Sequence, residues 1–259
     1  MAILISLWVS YSSASERPTI VLSSLNWAPY IGQDMPDKGY VYEVVKEAFA
    51  RSGANVDVLF FPWARALHVA RHGHVDGLFP EYYDKERKTE FIFSDPFPGG
   101  PVGFYKRRDR DIKFSSDPQK NLSKALQDLK EYKFGVVRGY INTKEFDDAD
   151  YLKKEFDDAD YLKKEESISD NVNLKRLYKD RVQLIFIDKY VAQYIIATRY
   201  PWYSLELEFM NPALEIKELY IVFSKKAKDY QKKLALFNSG LKQIKEDGTM
   251  EEIMSKHGF

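Results

Sequence analysis

The sequence predicts an α/β fold with a parallel sheet, and three observations lead to it. Short apolar runs alternate with amphipathic helical segments along the chain. The apolar run at 75–79 ends abruptly at a polar loop with tyrosines and acids, and a Pro/Gly cluster at 96–101 interrupts the alternation. Alternating strands and helices favour a parallel sheet with right-handed crossovers. Since such sheets bind ligands just beyond the carboxyl ends of their strands, we expect a ligand site in the loops there.

Before the Pro/Gly cluster, the pattern predicts three strands and two helices. The strands are short β-branched or aliphatic runs, at 19–24, 56–60 and 75–79. From Val41, apolar residues recur at i+3, i+4, i+7 and i+8, which predicts an amphipathic helix that Gly53 ends. Pro62 opens a second helix, which runs to about Arg71.

After the cluster, the composition predicts a second unit of the same kind. Its strands are again short apolar runs, at 134–137 and 184–187. A further strand is predicted at 220–223, before the final helical part of the chain. Asp188 directly follows one of these runs and is placed to cap a helix over 189–198. Thr249 with Glu252 predicts a capping box for a last helix over 250–257.

Composition excludes several classes of function. Lys+Arg and Asp+Glu both number 39, so no charge excess indicates a nucleic-acid partner. The chain has no cysteine, which excludes a disulfide framework, a thiolate metal site and a cysteine nucleophile. His68 and His72 share a helix face, but no acid lies between them and no second cluster exists, so we predict no metal site. Aromatic residues make up 15% of the chain and suit either a core or an aromatic-lined cleft.

The N-terminus predicts export. A short apolar run at 2–9 is followed by small residues at 10–15, as in a signal peptide over 1–15, although no basic residue precedes the run. We therefore expect a truncated signal peptide, and a stray apolar tail is the alternative. The run is too short to span a bilayer, and no other segment could. Without a cysteine to carry a lipid, we expect a protein free in a Gram-negative periplasm.

Five blocks spread over nearly the whole mature chain share a recognisable layout. They are LNWAPYIG, DGLFPEYYDKERKTEFIFSDPF, KFGVVRGY, RVQLIFIDKYVAQYII and FNSGLKQIKEDGTMEEIMSKHGF. Together they resemble family 3 of the bacterial extracellular solute-binding proteins. The resemblance implies a two-lobed periplasmic binding protein fold of type II. Each lobe would be a mainly parallel sheet flanked by helices, with two hinge crossings that assign 19–99 plus 216–259 to the first lobe and 100–215 to the second.

The resemblance also implies a function. Such a protein is a monomer without cofactors that captures a small polar ligand, an amino acid or a related compound, by hinge closure. It then delivers the ligand to the membrane permease of an ABC importer. Two alternatives stay open: a dehydratase-like periplasmic enzyme on the same fold, with Glu81 or Asp188 as proton donor, and a ligand sensor for a signalling receptor.

Eight residues are candidates for the ligand site: Trp27, Trp63, Glu81, Arg87, Arg138, Gly139, Tyr140 and Asp188. By resemblance, Arg87 clamps a ligand carboxylate and Asp188 accepts its ammonium, while the two tryptophans sandwich the ligand side chain. The loop of Gly139 and Tyr140 offers backbone N–H groups to the carboxylate. A guanidinium fork matches a carboxylate, and charge-assisted bonds are strong in a desolvated cleft. As alternatives, Asp188 is only a helix cap, Trp63 a core residue, and Arg87 solvated or ion-paired.

Glu81 departs from the pattern of the amino-acid binders, which carry a hydroxyl-rich loop here. It brings a negative charge to a place that normally helps to hold a carboxylate. Either the ligand carries extra positive charge, or Glu81 pairs with Arg65, Arg87 or Arg138.

A second departure is an exact duplication. The segment KEFDDADYLK at 144–153 recurs at 154–163, where the family pattern has room for one copy. Ten residues turn a helix by roughly 1000°, which is short of three full turns, so the second copy cannot keep the same face inward. We therefore expect one copy to pack and the other to be a solvated insertion without a metal site.

Overall fold

The structure is a computed structural model that describes residues 17–149 and 163–259. The predicted signal peptide and all but one residue of the second repeat copy lie outside these described residues. The strands are β1 (Thr19–Ser24), β2 (Asn55–Phe60), β3 (Gly77–Glu81), β4 (Phe91–Phe93), β5 (Pro101–Arg107), β6 (Lys133–Val137), β7 (Lys163–Ser167), β8 (Leu184–Asp188), β9 (Leu207–Phe209), β10 (Glu215–Ile216) and β11 (Tyr220–Ser224). The α-helices are α1 (Tyr40–Arg51), α2 (Trp63–Arg71), α3 (Leu122–Gln127), α4 (Lys144–Asp148), α5 (Asp170–Tyr178), α6 (Lys189–Arg199), α7 (Tyr203–Glu206), α8 (Tyr230–Glu246) and α9 (Thr249–Lys256).

Two sheets flanked by helices form two lobes, as expected. The first lobe contains the order β2–β1–β3–β11–β4, in which β1 runs parallel to β2 and β3. The second contains β10–β5–β8–β6–β7, in which β6 runs parallel to β7 and β8, and β9 also pairs with β5.

Both sheets are mixed rather than mainly parallel. Strand β11 is antiparallel to β3 and β4, and β5 is antiparallel to β8, β9 and β10. The reason is the connection between the lobes. Strand β4 leaves the first lobe at the end where β11 re-enters it, so the two must run in opposite directions. The same holds for β5 and β10 in the second lobe.

The two crossings between the lobes are hydrogen-bonded to each other. Phe97 and Leu219 exchange both backbone hydrogen bonds at 2.9 Å, and the Lys217 N–H donates to the Gly100 carbonyl at 2.9 Å. The crossings therefore form a short two-stranded link beside the cleft.

Several sequence-based boundaries need correction. Strand β3 covers Gly77–Glu81 rather than 75–79, and all five of its residues are buried. Its last two, Pro80 and Glu81, line the cavity between the lobes. The predicted capping box is wrong: Gly248 is the N-cap residue of α9, and the Asp247 carboxylate accepts hydrogen bonds from the N–H and hydroxyl of Thr249. The elements that were not predicted include strands β5, β7, β9 and β10 and helices α5 and α7.

The described part of the first repeat copy, 144–149, packs into the second lobe. It supplies helix α4, whose Phe146 is fully buried. The Phe146 ring lies 5.3 Å from Phe104, 5.2 Å from Phe134 and 5.5 Å from Phe186, between centroids. The expectation that one copy packs is therefore met by the described part of the first copy, while all of the second copy except Lys163 lies outside the described residues.

Among the helices of the described residues, none combines the length and the apolar character that a bilayer crossing requires.

Candidate functional site

A small cavity lies between the lobes at the carboxyl ends of β1 and β3. Its volume is about 30 Å³, room for one or two water molecules. Its lining is mostly aromatic and aliphatic, with one carboxylate: Leu25, Trp27, Trp63, Pro80, Glu81, Tyr82, Tyr140, Ile141 and Leu219. Four of the eight candidates from the sequence thus line one cavity.

Asp188 joins the two lobes. It ends β8, and its Oδ1 accepts hydrogen bonds from the backbone N–H groups of Tyr190 (2.8 Å) and Val191 (3.1 Å), which caps α6. Its Oδ2 accepts from two hydroxyls of the first lobe, Tyr30 at 2.9 Å and Tyr82 at 3.3 Å. Asp188 is 4% exposed. Asp188 is therefore a helix cap that also bonds the first lobe to the second, while its role toward a ligand stays a prediction.

Asp170 makes a second bridge of the same kind, one that was not predicted from the sequence. It is the first residue of α5, after the N-cap Ser169, and is 5% exposed. Its Oδ2 accepts hydrogen bonds from Trp27 Nε1 in the first lobe and from the Tyr140 hydroxyl, both at 3.2 Å. A Ser–Asp pair before a helical segment is a helix-start signal that could have placed an acid at this lobe edge.

Glu81 ends β3 and is 3% exposed. Its Oε1 accepts a hydrogen bond from the Tyr82 N–H at 3.1 Å. Its Oε2 has no hydrogen-bond partner and lies 3.5 Å from Arg87 Nε. Of the three arginines considered as partners, the structure brings Arg87 to Glu81. Arg65 instead lies over the Phe61 ring.

Arg138 is not in the cleft. Its side chain is 67% exposed and pairs with Glu166 at 2.8 Å on the outside of the second lobe. Arg138 follows the end of β6, and its side chain points away from the cleft, where the other seven candidates lie.

The Gly139 carbonyl is a further contact between the lobes. It accepts hydrogen bonds from Arg87 Nη2 at 2.7 Å and from Trp63 Nε1 at 2.9 Å. The Trp63 ring meets Tyr140 edge-on, with 5.8 Å between centroids. The Tyr140 N–H donates to the Val137 carbonyl at 3.0 Å, within the turn. This loop thus presents a carbonyl to Arg87, while one of the N–H groups expected to face a ligand carboxylate is bonded within the loop.

Burial shifts the titration of all three cleft acids. It raises the pKa of Glu81 and of Asp170 to about 7 and that of Asp188 to about 6. The Arg87 charge partly opposes the shift at Glu81, and donated hydrogen bonds partly oppose it at the two aspartates. Burial and the neighbouring Asp188 also raise the pKa of the Tyr30 and Tyr82 phenols, so these stay protonated donors.

Metal ligation finds little support in the described residues. Among the described residues, one group of acids and histidine has its ligand atoms close enough together to hold a metal ion. It consists of Asp37, Glu43 and His257 and lies outside the cleft. The Lys256 ammonium pairs with both carboxylates of that group, at 2.7 and 2.9 Å. A cation of the protein itself thus occupies this position.

The family model of the bacterial extracellular solute-binding proteins, family 3, matches residues 20–259. The chain belongs to this family. The resemblance drawn from five sequence blocks is thereby confirmed. No curated protein shows significant sequence similarity to this solute-binding family member.

Solved structures with the same fold cover nearly the whole chain. A histidine kinase sensor domain with similarity to periplasmic binding proteins is 19% identical, with a TM-score of 0.73, covering 94% of this chain and 97% of its own. An ancestral arginine-binding protein bound to arginine is 21% identical, with a TM-score of 0.72, covering 94% and 100%. An arginine transport-system periplasmic binding protein from Legionella pneumophila is 18% identical, with a TM-score of 0.69, covering 93% and 99%. The expected two-lobed fold is confirmed.

Proposed function

We propose that this chain is a periplasmic solute-binding protein that captures a small polar ligand by hinge closure and delivers it to an ABC importer. The observation that carries the proposal is the set of hydrogen bonds across the cleft. Trp27, Tyr30 and Tyr82 of the first lobe donate to carboxylates of the second lobe beside a buried cavity. A ligand bound there would contact both lobes only in the closed state.

The mechanism follows from where the two lobes meet. The lobes would be 19–99 plus 216–259 and 100–215, joined by the hydrogen-bonded crossings at Phe97 and Leu219. Bending at these crossings opens the cleft, and a ligand that binds the closed form better shifts the population toward it. The membrane permease of the importer would recognise the closed form. Export by a signal peptide over 1–15 and a monomeric state are part of this proposal.

A sensor is the second candidate function. It is favoured by the histidine kinase sensor domain, whose TM-score of 0.73 is as high as those of the two arginine-binding proteins. In a sensor, the same closure would be presented to a signalling receptor. The neighbouring genes separate the two: a permease and an ATPase would accompany a transporter, and a kinase would accompany a sensor.

The test begins with the ligand that accompanies the protein. Protein purified without dialysis is denatured, the released small molecules are identified by mass spectrometry, and each is added back to refolded protein. Binding by calorimetry together with a smaller radius of gyration in X-ray scattering supports the proposal. A ligand returned chemically altered would indicate an enzyme, and the absence of compaction with any recovered compound would overturn hinge closure.

A further inference from the structure

We propose that the ligand is an organic amine without a carboxylate, and that Glu81 receives its ammonium group. This inference rests on the proposed function of the cleft and assigns its ligand class. It differs from the role that family resemblance gave to Asp188, and the contacts of the cleft acids lead to it step by step.

The first step is that Asp188 has no acceptor capacity left. Two backbone N–H groups donate to its Oδ1, and the Tyr30 and Tyr82 hydroxyls donate to its Oδ2. An incoming ammonium would have to displace one of these four donors. In Asp170, the oxygen directed at the cleft already accepts from Trp27 and Tyr140.

The second step is that Glu81 Oε2 is the open acceptor. It belongs to a side chain that is 3% exposed and lines the cavity, and it accepts no hydrogen bond. Arg87 Nε is 3.5 Å away, which is an ion-pair distance without a hydrogen bond. A buried carboxylate oxygen without a donor is costly, so this position favours a ligand that brings one.

The third step is that Arg87 and Lys217, the two cations whose charges act on Glu81, already have partners of their own. Arg87 is hydrogen-bonded to the Gly139 carbonyl and faces Glu81, which would compete with any second carboxylate. Lys217 is 8% exposed and pairs with Glu215 at 3.2 Å. Glu81 faces Arg87 and lies within reach of the Lys217 charge. An added negative charge beside Glu81 would therefore be repelled and a positive charge attracted.

The fourth step is the shape and lining of the cavity. Trp27, Trp63, Tyr82 and Tyr140 line the cavity together with Glu81. Aromatic rings attract ammonium and guanidinium groups, most strongly where water is excluded. A volume of about 30 Å³ suits the head group of a primary amine, and the methylene chain of a longer amine would be accommodated as the lobes part.

Matched pairs of compounds that differ only in the α-carboxylate test the ligand class. The pairs are cadaverine with lysine, agmatine with arginine, and putrescine with ornithine, titrated by calorimetry into the full chain at about pH 8, where the acids are ionised. We expect at least one amine to bind about tenfold or more tightly than its amino acid, which corresponds to about 1.4 kcal/mol.

Variants then test the residue. Glu81→Gln keeps the shape and removes the charge, and we expect it to weaken binding of that amine about tenfold or more. Glu131→Gln removes the same charge from an exposed position outside the cleft and should bind as wild type does. Glu81→Asp keeps the charge and should retain part of the affinity. Circular dichroism of each variant establishes that it is folded.

Each outcome decides between the two proposals. If the amino acid of every pair binds more tightly than its amine, the ligand class is wrong while capture by hinge closure stands. If none of the six compounds binds at about 10 mM, the amine proposal also falls, since even a millimolar complex would be detected. In that case the compound recovered from the cell still decides hinge closure. Unchanged affinity in Glu81→Gln would remove Glu81 from the ammonium site.

Discussion

The hydroxyl of Tyr30 donates a 2.9 Å hydrogen bond to Asp188 Oδ2 and so connects the first lobe to the helix cap of the second. The Tyr30 ring is fully buried, stacks on Trp27 at 4.6 Å and lies 5.4 Å from the ring of Phe259. The same carboxylate that starts α6 is therefore one of the contacts through which first-lobe residues bond to the second lobe.

Removing this hydroxyl tests the connection. Tyr30→Phe keeps the packed ring and leaves Asp188 with one donor fewer, so we expect the free energy of unfolding to fall by about 1–3 kcal/mol. Urea denaturation of ligand-free protein measures it. Tyr83→Phe is the control, because Tyr83 is exposed and should change stability by less than about 0.5 kcal/mol. Equal stability of the two variants would mean that the Tyr30 bond contributes nothing net.

Gly100 allows a separate test of the contact between Tyr30 and Asp188. A Cβ placed on Gly100 would lie 2.1 Å from the Tyr30 hydroxyl oxygen, 2.8 Å from the Tyr190 ring and 2.9 Å from Asp188 Oδ2. We therefore expect Gly100→Ala to displace the Tyr30 hydroxyl and to destabilise the protein by about 1–3 kcal/mol.

A double-mutant cycle checks this explanation. The double variant Gly100→Ala with Tyr30→Phe lacks the closest clashing atom, so its destabilisation should be smaller than the sum of the two single effects. The coupling should lie within about 0.5–3 kcal/mol, as for residues in contact. Strict additivity would show that the cost of Gly100→Ala comes from the Tyr190 ring or Asp188 Oδ2 rather than from the Tyr30 hydroxyl.

The three buried acids predict how stability depends on pH. Their pKa values in the folded protein, about 6 to 7, lie above the ordinary values of aspartate and glutamate. The folded state therefore retains protons that the unfolded chain releases between about pH 4 and pH 7. Stability is highest at the acid end of this interval and falls as pH rises through it.

Denaturation of ligand-free protein between pH 5 and pH 8 measures the slope. We expect the free energy of unfolding to decrease by more than about 2 kcal/mol across this range, since each unit of pKa difference is worth about 1.4 kcal/mol. Charges that face Glu81 modify its contribution to the slope. Arg87 and Lys217 reduce the upward pKa shift of Glu81, and Asp84 increases it. Asp247, whose pKa is lowered to about 2, titrates below the measured range. Glu81→Gln should flatten the profile, whereas stability that rises with pH would contradict the assignment.

Most of the fold follows from local patterns in the sequence. Helix α1 has the apolar period that places Val41, Val45 and Phe49 on one buried face, and its predicted extent is nearly that observed. Strand β7 escaped prediction because its residues, 163–167, are mostly charged, and its pairing with β6 rather than its side chains makes it a strand. Non-local hydrogen bonding of this kind leaves no local signal.

The site was predicted less completely than the fold. Residues whose chemistry stands out at a strand end, such as Asp188 and Glu81, could be selected as candidates from the sequence. Asp170 was missed because its importance depends on the distance to Trp27, which lies 143 positions earlier in the chain. Whether Glu81 would pair with Arg87 or with Arg138 also depended on side-chain direction, which spacing alone does not determine.

The duplication gives the last prediction. Because the copies are identical, deleting 154–163 yields the same chain as deleting 144–153, and the remaining copy can supply the buried Phe146 and helix α4. Loop closure entropy changes slowly with length, so we expect the shortened chain to unfold within about 1 kcal/mol of the full chain and to bind ligand equally well. Phe146→Ala in the shortened chain is the contrast, with an expected loss of about 3–5 kcal/mol. Urea denaturation of both, and of the full chain, makes the comparison. If the deletion variant does not fold, the second copy contributes packing of its own, because the Phe146 cluster alone would then be insufficient to stabilise this part of the second lobe.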